Sequence, residues 1–203
     1  MRRPAPFRAA RFALLMALVA AVPAALSCGY HDPSKVSLGM LNWAYPDSLH
    51  VRTAVWMAQR DGVLASVESP SGQDTQAVLR QMAQFRQTTA DLGALRKGIV
   101  SALDGQAIPS FSVVLIGSML WTRFEVVDGS LAMAVHVDGP AVEDVVLVTD
   151  APVIEALAAG RLAPAEARRR GLLRPYGRPH DVERVELAFD RMASLKTAGV
   201  TAD

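Results

Sequence analysis

Residues 160–177 read GRLAPAEARRRGLLRPYG, with three glycines, two prolines and three successive arginines set among apolar side chains. Just upstream, Thr149 or Asp150 can cap a helix whose first turn holds Ala151 and Pro152 and whose inward side carries Val153, Ile154 and Leu157. Gly160 then ends it. A second helix starts near Pro164, places Glu166 early and Arg168, Arg169 and Arg170 late, as the helix dipole favours, and stops at Gly171. Isolated helices shorter than about 12 residues are marginal in water. Two of them in succession must lie on an apolar support, so this stretch is expected to cover a sheet.

The support precedes it. From Ser110 the texture changes to short β-rich runs: Phe111 to Ile116, apolar on both faces; a Gly117-Ser118 turn; Met119 to Val127; an Asp128-Gly129 turn; Leu131 to Val137; and, after Gly139-Pro140, Asp144 to Thr149. These read as four consecutive antiparallel strands. Leu172 and Leu173 supply a short fifth strand before Pro175, Tyr176 and Gly177. Residues 181–195 form a closing amphipathic helix through Val182, Val185, Leu187, Phe189 and Met192, with 197–203 a loose tail.

Before the sheet, a long helical pattern runs from about Thr75 to Leu103, with Met82, Phe85, Leu92, Ile99 and Leu103 at steps of three and four. Thr89 and Arg96 interrupt the stripe, and Gly93 and Gly98 weaken the helix, so it reads as packed on a sheet rather than as a coiled coil, with Gly93 a place where it can divide. Residues 47–72 hold an earlier helix capped by Asp47 or Ser48, with Val51, Val55 and Ala58 inward and Trp56 alongside, until Gly62 and a loop follow. Residues 28–46 read as an extended tether that becomes ordered near Leu41. The fold class expected is α+β: a five-stranded, mainly antiparallel sheet covered by helices, over residues 73–196.

The chain starts with Arg2, Arg3, Arg8 and Arg11, followed by the uncharged run FALLMALVAAVPAAL from Phe12 to Leu26. That is the pattern of a bacterial signal peptide over residues 1–27. Small residues lead directly to Cys28, the single cysteine, which is either a lipidated new N-terminus after a lipobox-like ALSC or an ordinary thiol. An uncleaved anchor is a third reading, since no charge falls between Phe12 and Tyr30. All three export the remainder to the periplasm, at a membrane where Cys28 carries lipid. Of the 21 basic residues four belong to the signal and none of the 20 acidic ones does, which leaves 17 against 20, a formal net charge of −3. With no basic stripe, nucleic acid is not an expected partner.

The helix, four strands, two short helices, fifth strand and closing helix together resemble the sterol carrier protein 2-like (SCP2-like) fold. The local pattern that carries the resemblance is Asp150-APVIEALAAG-Arg161-Leu162-A-Pro164-AEA-RRR-Gly171-LLRPYG, and residues 144–177 are its diagnostic part. The resemblance implies a lipid or prenyl-type molecule held between sheet and helices, with Phe111, Val113, Leu115, Leu120, Phe124, Ile154, Leu157, Leu162, Leu172 and Phe189 lining the cavity and Trp121 at its mouth. Each buried CH₂ of such a ligand is worth about 0.8 kcal/mol. The same side chains can equally fill a solid core.

Catalytic chemistry has little to stand on. His31, His50, His136 and His180 lack metal-ligand spacing, no serine sits in G-x-S-x-G, and no glycine pattern cradles phosphate, so neither metal nor cofactor is expected. His50 with Asp47 and Tyr45 forms one small polar group, which a solvated helix start also explains. The arginine run can meet anionic headgroups or simply be solvated, and Arg123 and Glu125 are expected to pair across the sheet. The dispersed methionines fall at core-filling positions. The expectation is a non-enzymatic exported protein that binds or presents a lipid-like molecule. The alternative is an accessory subunit that packs on a periplasmic or membrane partner without ligand.

Overall fold

The computed structural model describes residues 38–66 and 75–199. The signal peptide, Cys28, His31, the first part of the tether and the last residues of the tail lie outside them. In chain order the elements are α1 (Leu38–Ala44), α2 (Ser48–Arg60), α3 (Thr75–Leu103), β1 (Phe111–Leu115), β2 (Leu120–Val127), β3 (Ser130–Val135), β4 (Val145–Thr149), α4 (Ala151–Ala158), α5 (Pro164–Arg169), β5 (Arg174–Tyr176) and α6 (Pro179–Thr197).

The five strands form one sheet in the order β3-β2-β1-β4-β5. β1–β2 and β2–β3 are antiparallel hairpins, and β4–β5 is antiparallel too. β1 and β4, however, run parallel, with Phe111 beside Val145 and Leu115 beside Thr149. The sheet is therefore mixed, which corrects the expectation of four consecutive antiparallel strands. The chain leaves β3 at one edge, crosses the β1–β2 hairpin and re-enters beside β1, and both central strands are buried at every position. A strand covered on both faces reads as an unbroken apolar run, and that holds for VVLVT and FSVVL alike.

The register sorts side chains onto two faces. Phe111, Val113 and Leu115 share a face with Leu120, Thr122 and Phe124, and with Val145, Leu147 and Thr149. This face meets the helical layer of α3, α4 and α6: Phe189 on α6 lies edge-on to Phe111, and the Arg96 guanidinium on α3 donates to the Leu131 carbonyl at 3.0 Å. Val114, Trp121, Val146 and Tyr176 lie on the other face. Tyr45, in the turn between α1 and α2, packs there against Trp121 and Tyr176, with ring centres 6.1 and 5.3 Å away. The result is three layers: the α1–α2 hairpin, the sheet, and α3 with α4 and α6.

Several local expectations need correction. Residues 38–44 are helical where an extended tether was expected. Asp47 adopts a left-handed conformation (φ 66°) and makes no side-chain cap, nor does Ser48. Asn42 does the capping from the neighbouring helix: its Oδ1 accepts from the Leu49 N–H and the Ser48 hydroxyl, both at 3.3 Å. α3 passes Gly93 unbroken, and its fully buried stripe is Leu92, Leu95 and Ile99, flanked by Thr88 and Ala102, whereas Met82 is exposed. Gly98 lets α6 approach closely, since a Cβ there would sit 2.8 Å from the Met192 side chain. The β1–β2 connection spans Ile116 to Met119 rather than two residues. The fifth strand falls on Arg174–Tyr176, and Leu172 and Leu173 are buried ahead of it. Pro175 is tolerated because β5 is an edge. The last helix starts two residues earlier than expected, at Pro179.

What fixes β4 beside β1 is a buried carboxylate. Asp144, just before β4, accepts from Ser110 and Ser112 at 2.7 Å each, from the Ala141 N–H at 3.0 Å and from Arg123 at 3.1 Å. Burial alone would raise its pKa, but the bonds from Ser112, Ser110, Ala141 and Arg123 outweigh it and hold the carboxyl below the ordinary carboxylate range. A depressed native pKa contributes stability that is present above the unfolded value and lost as pH falls through the folded one. Asp144→Asn is therefore expected to cost about 2–4 kcal/mol at neutral pH. In urea unfolding, the gap to wild type should narrow below about pH 4, the ordinary aspartate value; a gap independent of pH would show that the charge is not what holds β4.

Candidate functional site

The interior between the sheet and α3, α4 and α6 is where a ligand chamber was expected. Phe111, Val113 and Leu115 come from β1, Leu120 and Phe124 from β2, Ile154 and Leu157 from α4, and Phe189 from α6. Leu162 and Leu172 flank α5. All ten are buried in one continuous cluster, none more than 6% exposed. Phe111 and Phe124 stack with ring centres 4.7 Å apart and planes 7° off parallel, and Phe189 closes on Phe111 at 6.0 Å. These side chains fill one another's space. Trp121, expected at the mouth, lies on the opposite face of the sheet, beside Val114 and against Tyr45.

Surface depressions among the described residues lie elsewhere. An open groove of about 570 Å³ lies between α5 and the C-terminal part of α6, lined by Pro164, Ala165, Asp190, Ala193, Thr197 and Ala198 among others. A slot of about 40 Å³ sits between Leu103, Ile108 and Arg191. Neither borders any of the eleven residues.

The two short helices are locked down as their glycines suggested. Asp150 caps α4 through the Ala151 N–H at 2.8 Å, and Thr149 instead sends its hydroxyl to the Leu172 carbonyl at 2.8 Å. Gly160, at φ 74°, ends α4 while the Arg161 N–H reaches back to the Ala156 carbonyl. The arginine run is spent on ion pairs: Arg168 meets Asp190 at 2.7 Å and Glu186 at 3.4 Å on α6, and Arg169 and Arg170 both pair with Glu166 on their own helix. Arg123 pairs with Glu125 on its own strand at 2.6 Å as well as with Asp144 across the sheet.

Of the three polar residues read as a group, His50 and Asp47 do meet, at 3.2 Å, but with 72% and 54% of their side chains exposed. Tyr45 engages Trp121 and Tyr176 instead, and its phenol is pushed up by burial and by the charge of Asp144. Among the described residues no three His, Cys, Asp or Glu side chains converge as metal ligands would, and no helix is long and apolar enough to cross a membrane.

Sequence reasoning missed the long-range ties made by the two aspartates that bracket β4. Asp144 is bound to residues 32 and 34 positions away, a pairing without local signal. Asp150 was legible as a cap, but its carboxylate also accepts from the Gly117 N–H at 3.2 Å, a contact a Cβ on Gly117 would crowd at 2.9 Å. Burial raises the Asp150 pKa, and the Ala151 and Gly117 amides and the charge of Arg52 on α2 only partly offset it.

Comparison with known proteins finds no matching family model, no matching curated protein and no matching solved structure.

A carboxyl raised in the native state contributes stability that is present below the unfolded pKa and lost as pH rises through the folded one. Asp150→Asn keeps the cap acceptor without the charge, so its stability relative to wild type should grow as pH rises above about 4. Asp150→Ala should lose about 1 kcal/mol. A difference between Asn and wild type that stays flat with pH would place the cost elsewhere. In the interior, Phe124→Ala is expected to cost about 3–5 kcal/mol in denaturant unfolding; a loss well under 1 kcal/mol would mean that the ring borders open space.

Proposed function

We propose that this chain is an exported, non-catalytic interaction module, held at a membrane by a lipid on Cys28, whose SCP2-like α+β domain serves as a solid scaffold. The observation that carries this reading is where the apolar side chains are. The ten expected to line a chamber are packed on one another, while a second set lies on the surface: Trp43, Leu49, Trp56 and Met57 on α1 and α2, and Val78, Leu79 and Met82 on α3. Large apolar groups clustered on a surface mark contact sites more often than they mark nothing.

α3 supplies the second of these surfaces. At 29 residues it is about 44 Å long. Its C-terminal half holds Leu92, Leu95 and Ile99 against the sheet, and its N-terminal half carries the exposed valine, leucine and methionine at i, i+1 and i+4. That is the spacing of a helix face that docks on a protein partner. The resemblance of residues 144–177 to SCP2-like sequences, and an element order that matches the one expected from it, support the choice of scaffold. A carrier of that family would need the α4–α5 cover to lift and the Phe111–Phe124 stack to part, and nothing in the packing favours this over the closed core.

The test is organic-solvent extraction of the purified protein followed by mass spectrometry, with photo-crosslinkers placed at Leu79 and Met82 in the bacterial host. Well under one lipid per chain is expected, with a discrete protein adduct from both α3 positions and none from a control at Ala159. One lipid per chain would overturn the module in favour of the carrier. Palmitate labelling that depends on Cys28 checks the tether separately.

A further inference from the structure

Trp121 is half-buried on the sheet, but Trp43 and Trp56 stand in solvent with 91% and 59% of their surface exposed. They belong to the α1–α2 hairpin. α2 buries Val51, Val55 and Ala58 toward β4 on one side. Its opposite side carries Leu49, Arg52, Trp56 and Arg60, spaced three, four and four residues apart, with exposed Met57 at the margin. These residues fall on one stripe of a 3.6-residue helix. The Arg60 guanidinium sits 5.4 Å above the Trp56 ring. The hairpin thus has two apolar sides, of which the sheet covers one.

The chemistry of the uncovered side is that of a bilayer boundary. Indole rings settle where headgroups meet acyl chains, with the ring in the apolar zone and the N–H at the hydrated level. Arginines beside them keep their stems on apolar surface while the guanidinium reaches phosphate oxygens. What selects lipid as the occupant is where the chain leads. α1 starts at Leu38, ten residues after Cys28 and eight after the uncharged segment ends at Tyr30. Ten residues reach at most about 36 Å even fully extended. A chain held at a membrane through this segment must therefore keep the Trp43 and Trp56 face within about one bilayer thickness of the lipid surface.

We propose that the outward face of α1–α2, centred on Trp43, Leu49 and Trp56, rests in the headgroup layer of the membrane to which the chain's own N-terminal segment directs it. The inference builds on the tethered reading above and adds the contact surface: α1–α2 lies against lipid, and α3, on the other side of the sheet, faces away from it.

The experiment reconstitutes the full chain into vesicles of phosphatidylethanolamine and phosphatidylglycerol, part of which carry bromine near the headgroup end of the acyl chains. Tryptophan emission is then recorded for wild type and for the W43F/W56F double variant, which leaves Trp121 and the sheet untouched. The wild-type spectrum is expected to shift to the blue on the vesicles and to lose roughly half its intensity to brominated lipid, as for rings held at the interface. The double variant should show neither effect while still floating with the vesicles. Vesicle-bound wild type with unshifted, unquenched emission overturns the membrane contact and leaves the tether standing. A blue shift without bromine quenching also overturns it and points to a second copy or another protein on this face. A chain that does not stay with the vesicles overturns the tethered reading and this contact with it.

Discussion

The parallel seam between β1 and β4 is the constraint on which the rest of the architecture depends. Every other strand pairing is antiparallel, and the β1–β2 and β2–β3 hairpins close over short connections. The seam alone brings together segments more than thirty residues apart. Closing so long a loop has an entropic cost that must be met by contacts formed only once the strands are side by side. Two aspartates supply them. Asp144 ties the entrance of β4 to Ser110 and Ser112, and Asp150 ties its exit to the Gly117 amide. The two carboxyls are tuned in opposite directions: four donor contacts, including Arg123, more than compensate burial at Asp144, while two backbone amides leave Asp150 short. The entrance carboxyl is held below its ordinary pKa and the exit carboxyl is pushed above its own.

From that seam the covering helices follow. Once β4 is fixed, the chain turns directly at Asp150 into α4, whose inward Val153, Ile154 and Leu157 meet the helical layer on the Phe111 face. α4 and α5 are eight and six residues long, too short to persist without a support. Their stability is therefore the stability of the core they help to complete. A lid on an empty chamber would lack that support. The stacked phenylalanines and the ion pairs from Arg168 to α6 make the cover part of the packing, which is why a solid scaffold accounts for the structure better than a hollow one.

The elements themselves were largely readable because each has a local cause. Gly160 and Gly171 stop helices by adopting positive φ, Pro152 and Pro164 start them, and Asp128-Gly129 supplies the positive-φ pair that a tight hairpin requires. What was not readable is whatever depends on partners distant in sequence. VVLVT looks the same whether its neighbour runs parallel or antiparallel, so the mixed sheet could not be distinguished from an antiparallel one. Trp121 alternates with Leu120 and Thr122, but which of the two faces meets α3 and which meets α1–α2 is decided by helices elsewhere in the chain. The stripe on α3 slipped for the same reason: Met82 continues the apolar spacing, but the side chains packed in the core are Leu92, Leu95 and Ile99, and Met82 is left exposed. α1 escaped notice because LGMLNWA is short and mixed, and its Asn42 performs the capping role that Asp47 was expected to fill.

The α1–α2 hairpin deserves more weight than its size suggests, because it joins the outside of the molecule to the seam. Val51 and Val55 pack toward β4, Tyr45 covers Trp121 and Tyr176, and Arg52 lends its charge to Asp150 at the exit of β4. Arg52 faces outward between Leu49 and Trp56, yet its charge still favours the Asp150 carboxylate. The outward stripe of α2 and the exit of β4 therefore share one cation, and the hairpin belongs to the same structural unit as the seam.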